Sequence, residues 1–495
     1  MKKLPIGIQS FSELRNGGYL YVDKTELIYR LATEGKYYFL SRPRRFGKSL
    51  LVSTLSELFQ GNQSLFEGLW VHGRWNWLQT HPVLDFRFNN ASYKISGLEA
   101  FLKDELHYQA QAFRITLPEG PYPNQFRELI TKLSHQYNQV VVLIDEYDKP
   151  ILDYLDDVEQ AKANREVLKN FYSVLKSLDS HLRFVLLTGV SKFSRVSIFS
   201  ELNNLKDLTM HPRYTTLLGY TQDELEYYFA NRIDQLAPEF GERDALLARI
   251  KQWYNGYTWD AKHYVYNPFS ILNFFDQGHF RNFWFETGTP TFLVKLLERQ
   301  RQYNLEQIRV DEAVFSTFDI ERINPNALLF QAGYTTIASA DEAPTYTLSY
   351  PNQEVRDSLL RYLLAEFTHS FASDVPVMAQ QMKQSLQQQD VAGFVRALNS
   401  LFSSIPYQTF IKDREAYYHS VVFLALSLVG TFMQVEVSQA KGRPDAVVHT
   451  DDTIYVLEFK LDESAEAGLK QIKKRGYTNA YHGAIQNGQG CRLQF

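Results

Sequence analysis

Three adjacent residues, Gly47-Lys48-Ser49, have the types and order needed to hold a phosphate. A short apolar run, Tyr38-Phe39-Leu40, precedes them and reads as a buried strand. The turn between is Arg42, Pro43, Arg44, Arg45 and Phe46, and Ser49 to Leu55 then has the apolar spacing of a helix packed on a sheet. Strand, tight loop, Gly-Lys-Ser and helix together make a phosphate-binding loop, with Arg42, Pro43, Arg44, Arg45, Phe46, Gly47, Lys48 and Ser49 as its candidate nucleotide contacts. The free N–H groups at the helix start, and the positive end of its dipole, point at an anion. Lys48 adds a cation for the β- and γ-phosphates of ATP, and the Ser49 hydroxyl can ligate Mg²⁺. The general pattern is G-x-x-x-x-G-K-[ST], and Arg42 stands at its first glycine position.

A second group follows the run Val140-Val141-Val142-Leu143-Ile144, which is β-branched enough for a strand buried on both faces. Asp145 and Glu146 close it, at the strand end where open α/β sheets bind ligands. Asp145 would hold Mg²⁺ through water, and Glu146 would act as general base on the attacking water. Taken alone, two acids can simply end a strand; beside Gly47-Lys48-Ser49 the catalytic reading is the stronger one. A further strand, Arg183 to Leu187, ends in Thr188-Gly189. Thr188 is placed to touch the γ-phosphate or the water, or merely to close the strand. Arg195, in the next loop, is a candidate arginine finger or a solvated surface residue. Arg44 and Arg45 suit nucleotide phosphate or DNA phosphate equally.

The third group lies near the C-terminus. Gly442 to His449 reads as a strand, Thr450 to Thr453 as a turn, and Ile454 to Leu461 as a second strand. Alternation puts Glu458 and Lys460 on one face. A hairpin centred between Asp451 and Asp452 sets Asp445 opposite Glu458, about 5 Å apart at Cβ. Two such carboxylates can share one Mg²⁺. Lys460, one pleat along, could orient or deprotonate a metal-bound water that attacks a phosphodiester. The plainer alternative is a salt-bridged surface hairpin.

RPRRFGKS, IDEYDKP and TGVSKFSRVSIFSELNNLKDLT resemble the AAA-ATPase-like proteins of bacteria whose C-terminus carries a PD-(D/E)XK nuclease-like domain. The resemblance covers most of the chain. In that family an Arg-Pro-Arg-Arg-Phe loop is usual, so Arg42 departs from the general motif only. Pro444-Asp445 with Glu458-x-Lys460 matches the PD-(D/E)XK signature. The resemblance also implies supporting residues. Glu415, before the apolar helix Tyr417 to Leu428, has the place of the superfamily's first-helix Glu, as a third ligand or only a structural acid. Gln471 and Tyr477, in the basic helix Leu469 to Tyr477, would line the site. Glu436, on the strand before Gly442-Arg443, is a further metal-ligand candidate or a structural acid. The family continues beyond such a helix with an apolar strand, whereas 483–490 here is polar and Gly-rich, so a truncated nuclease domain is expected.

The elements that must position these groups set the architecture. The 495 residues are too many for one core. The expected fold is α/β: a P-loop NTPase domain with a helical lid (1–300), a winged-helix-like unit (301–375), and a PD-(D/E)XK, restriction-endonuclease-like α/β domain (376–495). Within the first part, Gly17 to Val22 reads as extended, and Asp23 caps a helix from Lys24 to about Thr33. Helices are expected at 98–112 and 122–138, and Thr221 with Glu224 forms a capping box opening the lid. Gly288-Thr289-Pro290 marks a possible boundary. Strands at Leu328–Ile337 and Thr345–Leu348 suggest the winged unit, packing on the nucleotide domain rather than binding DNA. The Gln-rich segment 380–389 reads as a solvated helix.

Composition bounds the partners. A formal net charge of -4 gives no global attraction to nucleic acid, so the expected DNA contact needs a local basic surface, which the lysines after Leu469 supply. The one cysteine, Cys491, excludes an internal disulfide and suits a reducing cytoplasm. No apolar run reaches bilayer length, and Met1-Lys2-Lys3 opens no signal peptide, so no membrane partner is expected. A homo-oligomer is compatible with the chain. The functional expectation is an ATP-hydrolysing protein joined to a Mg²⁺-dependent DNA nuclease. The rival is a nucleotide-dependent switch or scaffold whose nuclease fold only binds nucleic acid or a protein. A small-molecule phosphotransferase lacks an acceptor motif.

Overall fold

The computed structural model describes residues 1–89, 92–192, 204–285, 291–300, 302, 304–315, 320–341, 345–403, 414–430, 434–437, 445–450, 453–458 and 465–477. The chain divides into two compact units: residues 1–287 with 306–352, and residues 288–305 with 353–495.

A five-stranded parallel sheet forms the centre of the first unit. Its strands are β1 (Tyr37–Ser41), β2 (Val83–Arg87), β3 (Val140–Asp145), β4 (Leu182–Gly189) and β5 (Lys206–Asp207), in the order β2-β3-β4-β1-β5. Every residue of β1 and β3 is buried, as interior parallel strands covered on both faces require. The helix Lys48–Phe59 packs on β3 and β2, and the helix Tyr122–Gln136 also lies on β3. Parallel strands must be joined by crossovers, so the strand ends that carry chemistry gather at one edge of the sheet.

A helix, Phe11–Asn16, precedes the stretch from Gly17 to Val22. Asp23 acts at the following helix, Thr25–Glu34: its Oδ1 accepts from the Thr25 N–H at 2.8 Å and the Thr25 hydroxyl at 2.6 Å. Leu20 and Val22 then enter an apolar core with Leu225, Phe229, Ile250, Tyr254 and Phe274 from the helices that follow β5. The Thr221–Glu224 capping box is formed in both directions.

Three antiparallel strands complete this unit: β6 (Ile308–Asp311), β7 (Thr336–Ala340) and β8 (Thr345–Ser349), ordered β6-β8-β7. The expected strand at Leu328–Ile337 is corrected, because Pro325–Ala332 is a helix and β7 starts only at Thr336. Asn324 accepts from the Asn326 and Ala327 N–H groups, Pro325 occupies the first turn, and Gly333 closes the helix at φ 89°. These strong local signals outweigh the apolar run.

The second unit is helical around a small antiparallel sheet, β9 (Gln434–Val437), β10 (Ala446–His449) and β11 (Ile454–Leu457), with β10 in the middle. The helices Val375–Gln387 and Val391–Ser403 pack on each other, and Arg414–Val429 packs on β9. Among the described residues, no helix is long and apolar enough to cross a membrane.

Candidate functional site

The phosphate loop curls because Arg45 and Gly47 take left-handed backbone angles, φ 65° and 92°, while their neighbours do not. Such alternation turns successive N–H groups toward one concave side. Gly47 caps the helix Lys48–Phe59 with no side chain, so the first-turn N–H groups, which have no intrahelical acceptor, stay available for an anion. Lys48 is buried, and its Nζ donates to the Arg42 and Pro43 carbonyls at 2.9 Å each. Burial lowers its pKa, against the pull of Glu146, Asp145 and Asp148.

Asp145, at the end of β3, joins two distant parts of the chain. Its Oδ2 accepts from the Ser49 hydroxyl at 2.5 Å and its Oδ1 from the Thr188 hydroxyl at 2.6 Å. Glu146 follows in a left-handed conformation, φ 55°, which is uncommon for a residue with a side chain. A cleft of about 460 Å³ opens over these groups, lined by Arg44, Arg45, Lys48, Ser49, Glu146 and Asp148 among others. That is within the size range of small-molecule sites.

Three residues expected at the nucleotide have their side chains engaged elsewhere. The Arg42 side chain is buried away from the cleft, donating to the Ser41, Thr209 and Tyr214 carbonyls with its guanidinium 3.8 Å from the Trp259 ring centroid. Desolvation lowers its pKa to about 9. Only the Arg42 carbonyl serves the loop. Phe46 is likewise a core residue, edge-on to Tyr257 and Trp259. Thr188 is fully buried and spends its hydroxyl on Asp145, so it supports that carboxylate from behind. Pro43 contributes its carbonyl to Lys48, while Arg44 and Arg45 stand exposed at the rim. Arg195 lies outside the described residues.

Asp148 was not anticipated. It is buried, lines the cleft, and accepts from the Val190 and Ser191 N–H groups at 3.0 and 2.6 Å. The signal available was a third acid just after the strand, in Asp-Glu-Tyr-Asp.

In the second unit, β10 and β11 pair Ala446 with Leu457 and His449 with Ile454. Continued by one residue pair, that register sets Asp445 opposite Glu458. The turn is closed by the Thr450 N–H donating to the Thr453 carbonyl at 2.8 Å. From the helix Ala465–Arg475, Gln471 Nε2 donates to Glu458 Oε1. Tyr477 follows Gly476, whose φ of 64° ends that helix. Lys470, Lys473, Lys474 and Arg475 are exposed on it. Glu436 is the register partner of Val447, and Glu415 lies in the first turn of Arg414–Val429. Lys460 lies outside the described residues. Among the described residues, no group of three or more His, Cys, Asp or Glu is placed to hold a metal.

Comparison with known proteins assigns a family to each part of the chain. Residues 5–199 match the family described as Predicted AAA-ATPase, and residues 413–489 match the PD-(D/E)XK nuclease superfamily. A protein of Azotobacter chroococcum mcd 1, described as an uncharacterized protein in the vnfD 5′ region, is 43% identical over 496 residues, which is 97% of this chain and 94% of that one. This chain belongs to the AAA-ATPase-like family with a C-terminal PD-(D/E)XK nuclease domain. The AAA-ATPase-like match contains Lys48, Ser49, Asp145, Glu146 and Thr188, and the PD-(D/E)XK match contains Asp445, Glu458, Lys460 and Gln471. The two families support a nucleotide-binding part and a nuclease-like part.

Proposed function

We propose that the chain binds and hydrolyses ATP with Mg²⁺, and that its C-terminal domain is a Mg²⁺-dependent phosphodiesterase acting on DNA. The observation that carries the reading is the contact of Ser49 with Asp145, 96 residues apart in sequence and 2.5 Å apart in space. Two hard oxygen donors at the start of an anion-binding helix fit a Mg²⁺ that is also held by phosphate. Lys48 would trade the Arg42 and Pro43 carbonyls for the β- and γ-phosphate oxygens. Thr188 would keep Asp145 in place, and Glu146 would orient and deprotonate the attacking water. Arg44 and Arg45 would meet the phosphates at the rim. Bound Mg²⁺ would neutralise charge developing on the transferred phosphoryl group.

In the C-terminal domain, Asp445 and Glu458 would hold Mg²⁺, with Glu436 as a further ligand and Glu415 in support. Lys460 would act on the water, Gln471 would orient Glu458, and Tyr477 would border the site. The exposed cations of the helix Ala465–Arg475 would meet the nucleic-acid backbone. The proposed division remains 1–300 for the ATPase and lid, 301–375 for the winged-helix-like unit and 376–495 for the nuclease domain, in a cytoplasmic protein.

The test is cleavage of linear and circular DNA with Mg²⁺ or Mn²⁺, with and without ATP, beside the Lys460→Ala and Lys48→Ala proteins. Cleavage lost in Lys460→Ala supports the nuclease, and its response to Lys48→Ala reveals ATP control. Hydrolysis of ATP with no cleavage under any condition would leave a nucleotide-dependent switch or scaffold.

A further inference from the structure

Asp148 occupies the capping position of the short helix Lys149–Leu152, yet its side chain makes no capping bond. Its carboxylate instead crosses to the end of β4, where Oδ2 accepts from the N–H groups of Val190 and Ser191. Oδ1 lies so close to Gly189 that a Cβ there would meet it at 2.6 Å, and the Tyr147 ring at the same distance. Two more bonds run the same way. The Tyr147 N–H donates to the Thr188 carbonyl at 2.9 Å, and the Tyr147 hydroxyl to the Ser191 carbonyl at 2.9 Å. The far side of this segment is held too, by the Arg42 N–H on the Gly189 carbonyl and the Ser41 hydroxyl on the Val190 carbonyl. Residues 188–191 are thus clamped between the phosphate loop and the acidic turn.

Glu146, the first residue of that turn, holds its left-handed conformation only while its surroundings impose it. We propose that Asp148 is a positioning residue for the ATPase centre, tying the acidic turn to the end of β4 and so holding Glu146 at the cleft. The assignment rests on the ATPase reading above. Burial pushes the Asp148 carboxyl up to about 6, while the Ser191 N–H and Lys48 favour its charged form. The ionisable groups facing it are Lys48 from the phosphate-loop helix, Glu146 on its own turn and Tyr172 from the helix Val158–Ser177. Two backbone N–H donors and one buried ammonium are the partners a carboxylate needs in order to stay useful without solvent.

The experiment pairs steady-state ATP hydrolysis with amide hydrogen exchange of the peptide ending at Ser191, on the full chain. In Asp148→Ala, two further amides should exchange at least about tenfold faster, kcat should fall at least about tenfold, and KM for ATP should stay within about threefold. Asp148→Asn keeps an oxygen for both N–H groups, so it should retain slow exchange and most of kcat. Unchanged kcat in Asp148→Ala overturns the assignment. So does Asp148→Asn with slow exchange but lost kcat, because the charge itself would then be acting. If Asp148→Ala does not fold, Asp148→Asn decides by the same criteria. Fast exchange in the unaltered chain overturns the tie whatever the enzyme does. Slow exchange there with no ATP hydrolysis overturns the ATPase reading, and with it any catalytic role for the tie.

Discussion

The Ser49 hydroxyl donates to the Asp145 carboxylate across 2.5 Å, and the opposite oxygen of the same carboxylate takes the Thr188 hydroxyl at 2.6 Å. Asp145 is therefore held by both the phosphate-loop helix and β4 before any ligand arrives. A carboxylate fixed this way loses little entropy on meeting a cation, which is what preorganisation means at a catalytic centre. Thr188→Val, which keeps the shape and removes the hydroxyl, should weaken Mg²⁺-dependent ATP binding by roughly tenfold, about 1.4 kcal/mol. Calorimetric titration with and without Mg²⁺ would read it. A Thr188→Val protein that binds as tightly as the parent would remove Thr188 from the site.

Lys48→Ala should abolish tight ATP binding and still fold. The substitution frees the Arg42 and Pro43 carbonyls from one buried donor, so a loss of about 1–3 kcal/mol in stability should accompany it. A fluorescent ATP analogue and thermal unfolding measure the two effects separately. Undiminished binding would mean that the nucleotide sits elsewhere.

Glu146→Gln should bind ATP normally and hydrolyse it about 10²–10⁴-fold more slowly, the usual contribution of a general base. Single-turnover kinetics is the suitable measurement. A rate close to that of the parent would transfer the base role to another group on the cleft.

Asp445→Asn or Glu458→Gln should eliminate DNA cleavage and leave ATP hydrolysis intact. Gln471→Ala should lower cleavage less, by about tenfold, because Gln471 donates to Glu458 and in the proposed site would orient that carboxylate without ligating the metal. Cleavage that survives Glu458→Gln would exclude this hairpin as the nuclease centre.

Gly333→Ala should destabilise the first unit. Gly333 closes the helix Pro325–Ala332 at φ 89°, and a Cβ there would meet Pro43 Cγ at 2.6 Å. The left-handed penalty alone is about 1–2 kcal/mol, and the clash with Pro43 adds to it. Chemical denaturation of the full chain would show a lower midpoint. Unchanged stability would mean that the Pro43 turn gives way freely.

The pH dependence of Asp148 follows from its raised pKa, about 6 against an ordinary 3.8. Between those values the folded chain binds more protons than the unfolded one. This residue's contribution to stability therefore falls as pH rises through that window and is level above it. Asp148→Asn does not titrate, so its stability relative to the parent should climb between about pH 4 and 6 by no more than roughly 3 kcal/mol. Unfolding without nucleotide or Mg²⁺ reads the difference, and a flat difference across the window contradicts the shift.

Much of this site is written locally. Tyr38-Phe39-Leu40, the Gly-Lys-Ser turn and the apolar helix after it need only short-range periodicity, and β1 and the helix Lys48–Phe59 form where that periodicity puts them. The hairpin is equally local: a period of two and a four-residue turn are enough to set Asp445 opposite Glu458, and the β10–β11 register agrees. The destinations of single side chains were not legible. Arg42 reads as part of the phosphate-binding loop until Trp259 is seen beneath its guanidinium, and Thr188 reads as a phosphate or water contact, or a plain strand end, until its hydroxyl is found on Asp145. Asp148 carries no reading from the sequence at all, and its role is visible only in its bonds to N–H groups 42 and 43 residues away. The physical reason is the same in each case. Backbone geometry follows from neighbours along the chain, whereas a buried polar group goes wherever the folded core leaves it a partner, and those partners come from elements the local sequence cannot see.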